Sequence, residues 1–219
     1  MVNTRAVFVG EIGITPFVPL VRGKLKGEIA MDAISAIKTR RSVRKFKQEK
    51  ISIEILKDLI NCAHLAPSAA NSQPLEYIVV SDSLKCEEIF QTTKWAGYIS
   101  DGTPKQGEKP TAFIVVLINN SRVNKWGAAR DVGAAVQNIL VAANAQNIGT
   151  CWIASADIDK VREILKIESL YSIDSLIALG YKAQDSVAEQ SDTEVKYWLD
   201  EKLTMHVPKR PVDKVMKVV

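Results

Sequence analysis

Cysteine is scarce in this chain of 219 residues: Cys62, Cys86 and Cys151 are an odd number with no C-x-x-C spacing. That argues against a zinc site and a disulfide framework, and it agrees with thiols kept reduced in a cytosol, so the chain is read as cytoplasmic. Free cysteine packs as a small apolar side chain, and burial is expected of all three. No apolar run approaches the roughly 20 residues that span a bilayer, so neither a transmembrane helix nor a membrane partner is expected. G-x-G-x-x-G is missing, which counts against a doubly wound dinucleotide-binding unit. Internal repeats and low-complexity tracts are absent. Charge of one sign is in only mild excess, with 29 basic and 25 acidic residues giving a formal +4. No basic patch is interleaved with aromatics, so a nucleic-acid partner is not expected, whereas small anions suit the charge balance. The two histidines support no metal site: His64 reads as a packed or hydrogen-bonded residue of an apolar helix, and His206 belongs to the C-terminal tail.

What is present is a chain long enough for one domain that buries roughly 70% of its unfolded surface. Residues 1–27 carry short apolar groups such as Val7-Phe8-Val9 and Phe17-Val18-Pro19-Leu20, broken by glycine and proline. They match neither a signal peptide nor an amphipathic transit helix. A helix is predicted over residues 31–39, with Ile34 and Ile37 on one face, ending near a group of arginines. Ser52 caps a second helix in which Ile55, Leu56, Leu59, Ile60 and Ala63 recur at helical spacing, stopping before Pro67. Further helices are predicted over 84–90, 131–146 and 157–165, the long one presenting Val132, Ala135, Val136, Ile139, Leu140 and Ala143 on one stripe and ending at Gly149. Strands are predicted over 77–80, 112–118, 151–153 and 176–179. This alternation gives an α+β fold, an antiparallel or mixed sheet flanked by helices.

Two segments carry chemistry. Arg40-Arg41-Ser42-Val43-Arg44 sets guanidinium forks around a hydroxyl, donors that suit a phosphate at any working pH. Ala66-Pro67-Ser68-Ala69-Ala70-Asn71-Ser72-Gln73-Pro74 brackets Ser68, Asn71 and Gln73 between prolines that restrain the backbone, amide and hydroxyl groups able to read a planar ring with polar edges. Together they suggest a flavin. Each alone has a plainer reading: arginines at a solvated helix end, and an ordinary polar loop.

The order of these motifs resembles the nitroreductase family. Asp131-Val132-Gly133-Ala134-Ala135-Val136-Gln137-Asn138, running on to Gly149-Thr150-Cys151-Trp152-Ile153, resembles that family's central helix and following strand. Ala178-Leu179-Gly180-Tyr181 resembles its last core strand. The tail, Tyr197-Trp198 and His206-Val207-Pro208-Lys209-Arg210, is similar to a subgroup common in anaerobes. Relative to this pattern residues 1–27 are an extension, and 28–219 form a single FMN-binding domain. The resemblance implies a homodimer with extended, exchanged tails and two flavin sites at the subunit interface.

By motif position the resemblance also implies residue roles. Arg40 and Ser42 contact the FMN phosphate, with Arg41 directed to the same pocket and Lys209 or Arg210 adding charge. Arg44 lies beside the N1/O2 edge of the ring, where a cation stabilises the charge of the reduced flavin. Pro67, Ser68 and Ala69 come from the partner subunit, and Asn71 and Gln73 hold the ring or ribityl edge. Backbone groups at Ile153 and Ala154 face flavin N5, and Ala154 stands where glycine is frequent in the family. Trp95, Tyr98 and Trp152 are candidates for a substrate wall and equally suited to the core. No protein side chain is expected to be catalytic, because the cofactor carries the chemistry. The expected activity is ping-pong transfer from NAD(P)H to nitroaromatics, quinones or related oxidised small molecules. The alternatives are a flavin-binding carrier or sensor without NAD(P)H turnover, and another reaction of the same fold such as reductive dehalogenation.

Overall fold

The helices start where short polar side chains cap them. In the computed structural model, which describes residues 31–100 and 102–219, Asp32 accepts from the N–H groups of Ile34 and Ser35 (3.0 Å each) to open α1, Ala33–Thr39. Ser52 accepts from Ile55 (3.3 Å) to open α2, Ile53–His64. Asp82 and Asp157 do the same for α3, Ser83–Phe90, and α5, Ile158–Leu165. Each cap satisfies a backbone donor that a helix start leaves free. The longest helix, α4, Ala129–Ala145, follows Ala128 without a side-chain cap and carries Asp131 in its first turn. The expected extension over residues 1–27 lies outside the described residues.

Four strands form the central sheet: β1 Leu75–Val80, β2 Ala112–Asn119, β3 Ile148–Ile153 and β4 Tyr171–Tyr181, in the order β1-β2-β4-β3. Every neighbouring pair is antiparallel. β2 is buried on both faces and reads as the continuous apolar run expected of such a strand. Its alternate residues feed two cores. Ala112, Ile114 and Val116 meet α2 and α4 through Leu56, Leu59, Val136, Ile139 and Ala143. Phe113, Val115 and Leu117 meet α3 and α5 through Ile89, Phe90 and Val161. The sheet therefore lies between two helical layers, and the stripe expected on α4 is buried throughout.

Several details differ from the sequence expectation, among them two element boundaries and one helix face. β4 begins at Tyr171 because a bulge absorbs Asp174: Val116 pairs with Ser175 and Leu117 with Ile173. Polar Ser172, Asp174 and Ser175 hid that half of the strand. α4 stops at Ala145 on the left-handed turn of Asn147 (φ 58), not at Gly149, which belongs to β3. Asparagine adopts this conformation more readily than most side chains. On α1, Ala36 is the buried residue, while Ile34 and Ile37 are 60% and 52% exposed.

Beyond the central sheet the tail forms a second sheet that the polar sequence did not announce. β5 Ser186–Gln190 runs parallel to β7 Met205–Lys209, and β6 Trp198–Leu199 pairs antiparallel with β7.

Gly149 and Gly180 face each other across β3 and β4, and the chain after α1 lies on them. A Cβ at Gly149 would sit 2.8 Å from Val43 Cγ1 and 2.9 Å from Val43 Cβ, and one at Gly180 would sit 2.8 Å from Phe46 Cβ. The N–H of Val43 donates to Thr150 O (2.9 Å) and that of Lys47 to Tyr181 O (2.8 Å). Val43 and Phe46 are buried close to their own backbone and have little room to give. Gly149→Ala and Gly180→Ala should each lower stability by about 1–3 kcal/mol, read as a lower urea midpoint at unchanged slope; wild-type midpoints would contradict the close approach.

Candidate functional site

The arginine segment begins where α1 ends, with Arg40 as the C-cap, and continues extended, bridged to β3 through Ser42 and Thr150. Alternation along an extended chain separates its side chains. Val43 and Arg41 take one side. Together with Thr39, Asn144, Lys182 and Gln184 they line a cavity of about 210 Å³. Arg41 is thereby placed apart from Arg40 and Ser42 rather than in a common pocket. Its Nε is buried without a partner, and its Nη1 donates to Arg40 O. Lys182 Nζ donates to Asn144 Oδ1 (2.6 Å), and Asn144 Nδ2 donates to Ala36 O and Thr39 Oγ1 (3.0 Å each), tying the end of α1 to the end of α4.

Arg40 and Arg44 flank Cys151. Burial pushes that thiol up, and the charges of Arg44 and Arg40 oppose the rise. Burial likewise lowers Arg40, with Arg41 adding to the effect, yet a guanidinium so perturbed stays charged. Among the described residues none of Arg40, Arg41 and Arg44 forms an ion pair with a carboxylate. Arg40 and Arg44, uncompensated cations on the same side of the segment as the Ser42 hydroxyl, make a donor set that suits a phosphorylated ligand, while Arg41 keeps its orphaned donor on the other side.

The loop from Pro67 to Pro74 is strained and firmly held. Ala70, Asn71 and Gln73 have φ of 54, 52 and 47, conformations that disfavour L side chains. Ser68 Oγ donates to Asp131 Oδ2 (2.6 Å), and Ala69 N donates to Asp131 Oδ1 (3.3 Å). Asn124 Nδ2 donates to Ala69 O (2.8 Å), and Arg122 Nε donates to Gln73 O (3.1 Å). Gln73 Nε2 donates to Asn71 Oδ1 (3.0 Å). These contacts hold the loop as much as its prolines do. Asn124 and Arg122 left no signal in the sequence, and Asp131 stood out there only as the first residue of the long helix and of the segment that resembles the family's central helix. A cavity of about 250 Å³ adjoins, lined by Pro67, Ser68, Gln73, Tyr77, Asp131 and exposed His64, which is not the packed histidine expected. Burial pushes the Tyr77 hydroxyl up to about 12.

The two segments sit at opposite ends of the sheet. The loop runs into Leu75, which pairs with Ile118, itself paired with Ser172 at the start of β4. The arginine segment rests on Gly180 near the end of β4. At roughly 3.3 Å per residue, Ser172 and Gly180 are about 25 Å apart along that strand.

Along β3, Ile153 is buried and Ala154 is exposed. Trp152 is 43% exposed, its Nε1 donating to Ser175 Oγ (2.7 Å) at the bulge. Trp95 packs against Phe90 (5.8 Å between centroids) and donates to Thr93 Oγ1, so it serves the core. Tyr98, 57% exposed, lies 5.1 Å from Tyr197, whose ring Arg44 covers at 4.6 Å. Lys209 is exposed at the end of β7, and Arg210 engages Asp192 (3.6 Å) and Lys214 O (3.2 Å). The described contacts join neither to Arg40 or Ser42.

The profile of the Nitroreductase family matches residues 37–181. The chain belongs to the nitroreductase family. It is 28% identical over 159 residues to a candidate NADH dehydrogenase/NAD(P)H nitroreductase of Methanothermobacter thermautotrophicus, a match covering 71% of this chain and 80% of that one. It is similar to the solved structure of an FMN-dependent nitroreductase of Clostridium difficile, at 28% identity and a TM-score of 0.56 over 78% of this chain and 94% of the other. A candidate nitroreductase of Desulfovibrio desulfuricans in complex with FMN shares the fold at 24% identity, with a TM-score of 0.62 over 85% and 96%. The nitroreductase match includes both polar segments and ends at Tyr181, so the tail lies beyond it.

In that tail His206 is enclosed rather than free. Its Nδ1 lies 3.1 Å from Glu189 Oε2 and its Nε2 3.4 Å from Asp200 Oδ2, and its ring stacks on Trp198 at 4.1 Å. Burial lowers its pKa, but hydrogen bonds to Glu189 and Asp200 outweigh that and raise it above 6.5. The carboxylates are held below 4.5 and 3.8, Glu189 chiefly by Trp198 and Asp200 chiefly by the N–H of Thr204.

Two outcomes follow. The contribution of protonated His206 is complete below pH 6.5 and is lost as pH rises through its elevated value, while that of the carboxylates is lost as pH falls through their lowered ones. Trp198 fluorescence should therefore report the tightest tail sheet between about pH 5 and 6.5, and His206→Gln should flatten the alkaline side of that profile. Asp131→Ala should lower stability by about 1.5–3 kcal/mol and expose the 67–74 loop to protease; an unchanged cleavage pattern would contradict its anchoring role.

Proposed function

We propose that this protein is an FMN-dependent oxidoreductase that uses NAD(P)H to reduce nitroaromatics, quinones or related small acceptors, and that it works as a homodimer. The observation that carries the reading is the spacing of the site: uncompensated arginines at one end of the sheet and a strained polar loop about 25 Å away at the other. No flavin-sized ligand reaches both within one chain, whereas a second copy can bring its loop to the first copy's arginines. Membership of the nitroreductase family and the names of the relatives support the cofactor and the donor.

In this reading Arg40 and Ser42 hold the phosphate, and Arg44 offers in-plane N–H donors to the pyrimidine edge of the ring. The partner's loop supplies Pro67, Ser68 and Ala69, with Asn71 and Gln73 against the ring or ribityl edge. The backbone at Ile153 and Ala154 forms the floor beside N5, and Trp152 and Tyr98 border the face where an acceptor stacks. Bound FMN supplies two-electron transfer, so one binding face serves donor and acceptor in turn and the kinetics are ping-pong.

The outer face of α4, with Gly133, Ala134, Gln137 and Val141, and the exposed Ile34 and Ile37 of α1 are suited to the dimer contact. Exposed Val195, Val212, Val215 and Met216 suit a tail that packs across a partner. Lys209 or Arg210 would then add charge at the phosphate. Residues 28–219 act as one domain, and three unpaired thiols support a reducing cytoplasm.

Purified protein should be a yellow dimer whose absorbance NADH or NADPH bleaches and an added nitroaromatic or quinone restores. Arg40→Ala with Ser42→Ala should leave a folded dimer that binds FMN at least roughly 100-fold more weakly, since charge-assisted hydrogen bonds are lost. Stoichiometric FMN in the double variant would contradict the phosphate assignment. Bleaching by dithionite but by neither nicotinamide would turn the reading to a carrier or sensor.

A further inference from the structure

Tyr197 is half-buried within an otherwise exposed run from Asp192 to Trp198. An anchored side chain in such a run has a partner that holds it, and here the partner is Arg44, whose guanidinium lies over its ring at 4.6 Å. Tyr98 backs the same ring at 5.1 Å, tilted by 55°. The position of Tyr197 is not left to a loose tail. The next residue, Trp198, pairs with His206 on β7 and stacks on its ring, and β7 begins at Met205, which is buried and donates its N–H to Asp185 O (2.9 Å). On the other side, Gln184 Oε1 accepts from the backbone N–H of Arg44 (3.2 Å).

Among the described residues the Arg44 guanidinium makes no hydrogen bond and no ion pair. A guanidinium stacked by its face keeps its five N–H groups directed outward in the plane. A long flexible side chain is thereby held flat with its donor edge unspent, the arrangement an anionic heteroaromatic edge requires.

We propose that Tyr197 is a positioning residue for Arg44, presenting its donor edge to the N1/O2 edge of FMN, so that the ordered tail sets the affinity and potential of the reduced cofactor. This inference rests on the FMN reading above. A cation held there favours the reduced, anionic ring over the oxidised one. The tail, which lies outside the family match, thus gains a defined role at the site.

The test uses the FMN-loaded full chain and measures the two-electron midpoint potential by dye equilibration, together with FMN affinity in both redox states. Tyr197→Leu should weaken reduced FMN about tenfold more than oxidised FMN, which lowers the potential by about 30 mV. Tyr197→Phe, which keeps the ring, should stay close to wild type. In an Arg44→Gln background Tyr197→Leu should have no further effect on potential. An unchanged potential in Tyr197→Leu overturns the proposal, as does an equal shift in the Arg44→Gln background, where the ring would be acting without the cation. Wild-type protein that binds no FMN would overturn the underlying function instead. Should Tyr197→Leu fail to fold, Tyr98→Leu, which removes the ring that backs Tyr197, should lower the potential in the same direction, and no shift there would equally overturn the proposal.

Discussion

The arginine segment keeps its place because two strands carry no side chain where it crosses them. Gly149 and Gly180 are cross-strand partners, and Val43 and Phe46 occupy the volume that their side chains would fill. Backbone hydrogen bonds to Thr150 and Tyr181 then fix the height of the segment over the sheet. Once Val43 is buried, alternation decides which arginines share a side: Arg41 turns toward Lys182 and Asn144, while Arg40 and Arg44 approach Cys151. The charge pattern at this end of the molecule thus depends on a packing contact between apolar side chains and glycine.

The polar loop is built on the opposite principle. It is not packed into place; three of its residues adopt left-handed backbone, and the strain is held by charged and amide side chains from elsewhere in the chain. Asp131 is central because one carboxylate satisfies both the Ser68 hydroxyl and the Ala69 N–H at the start of α4. Strain persists where surrounding contacts over-determine it, and such places commonly serve ligands. Rigid anchors thus hold the two polar segments in fixed positions at opposite ends of one sheet.

The tail adds a third kind of order, an electrostatic and aromatic cluster outside the main cores. His206 between two carboxylates and against Trp198 sets the register of β6 on β7. That register places Tyr197 beside Arg44. His206 therefore bears on Tyr197 through the fold of the tail, one strand removed.

Much of this architecture was legible in the residues themselves. Capping by Ser52 and the apolar stripe of α4 are local properties of spacing, and so is the central run of β2; all appear where the pattern places them. The order of motifs was enough to indicate the family. Tertiary structure alone decided the rest, because the causes are non-local. Gly149 reads as a helix stop until Val43 is seen against it, and Arg41 reads like Arg40 until burial of Val43 separates them. Asn124 is unremarkable in a polar stretch, and Tyr197 reads only as part of a tail motif, until their partners, 55 and 153 residues away in sequence, are known. Spacing along a chain reports periodic burial, which repeats within an element; a single contact between distant residues repeats nowhere and leaves no period to read.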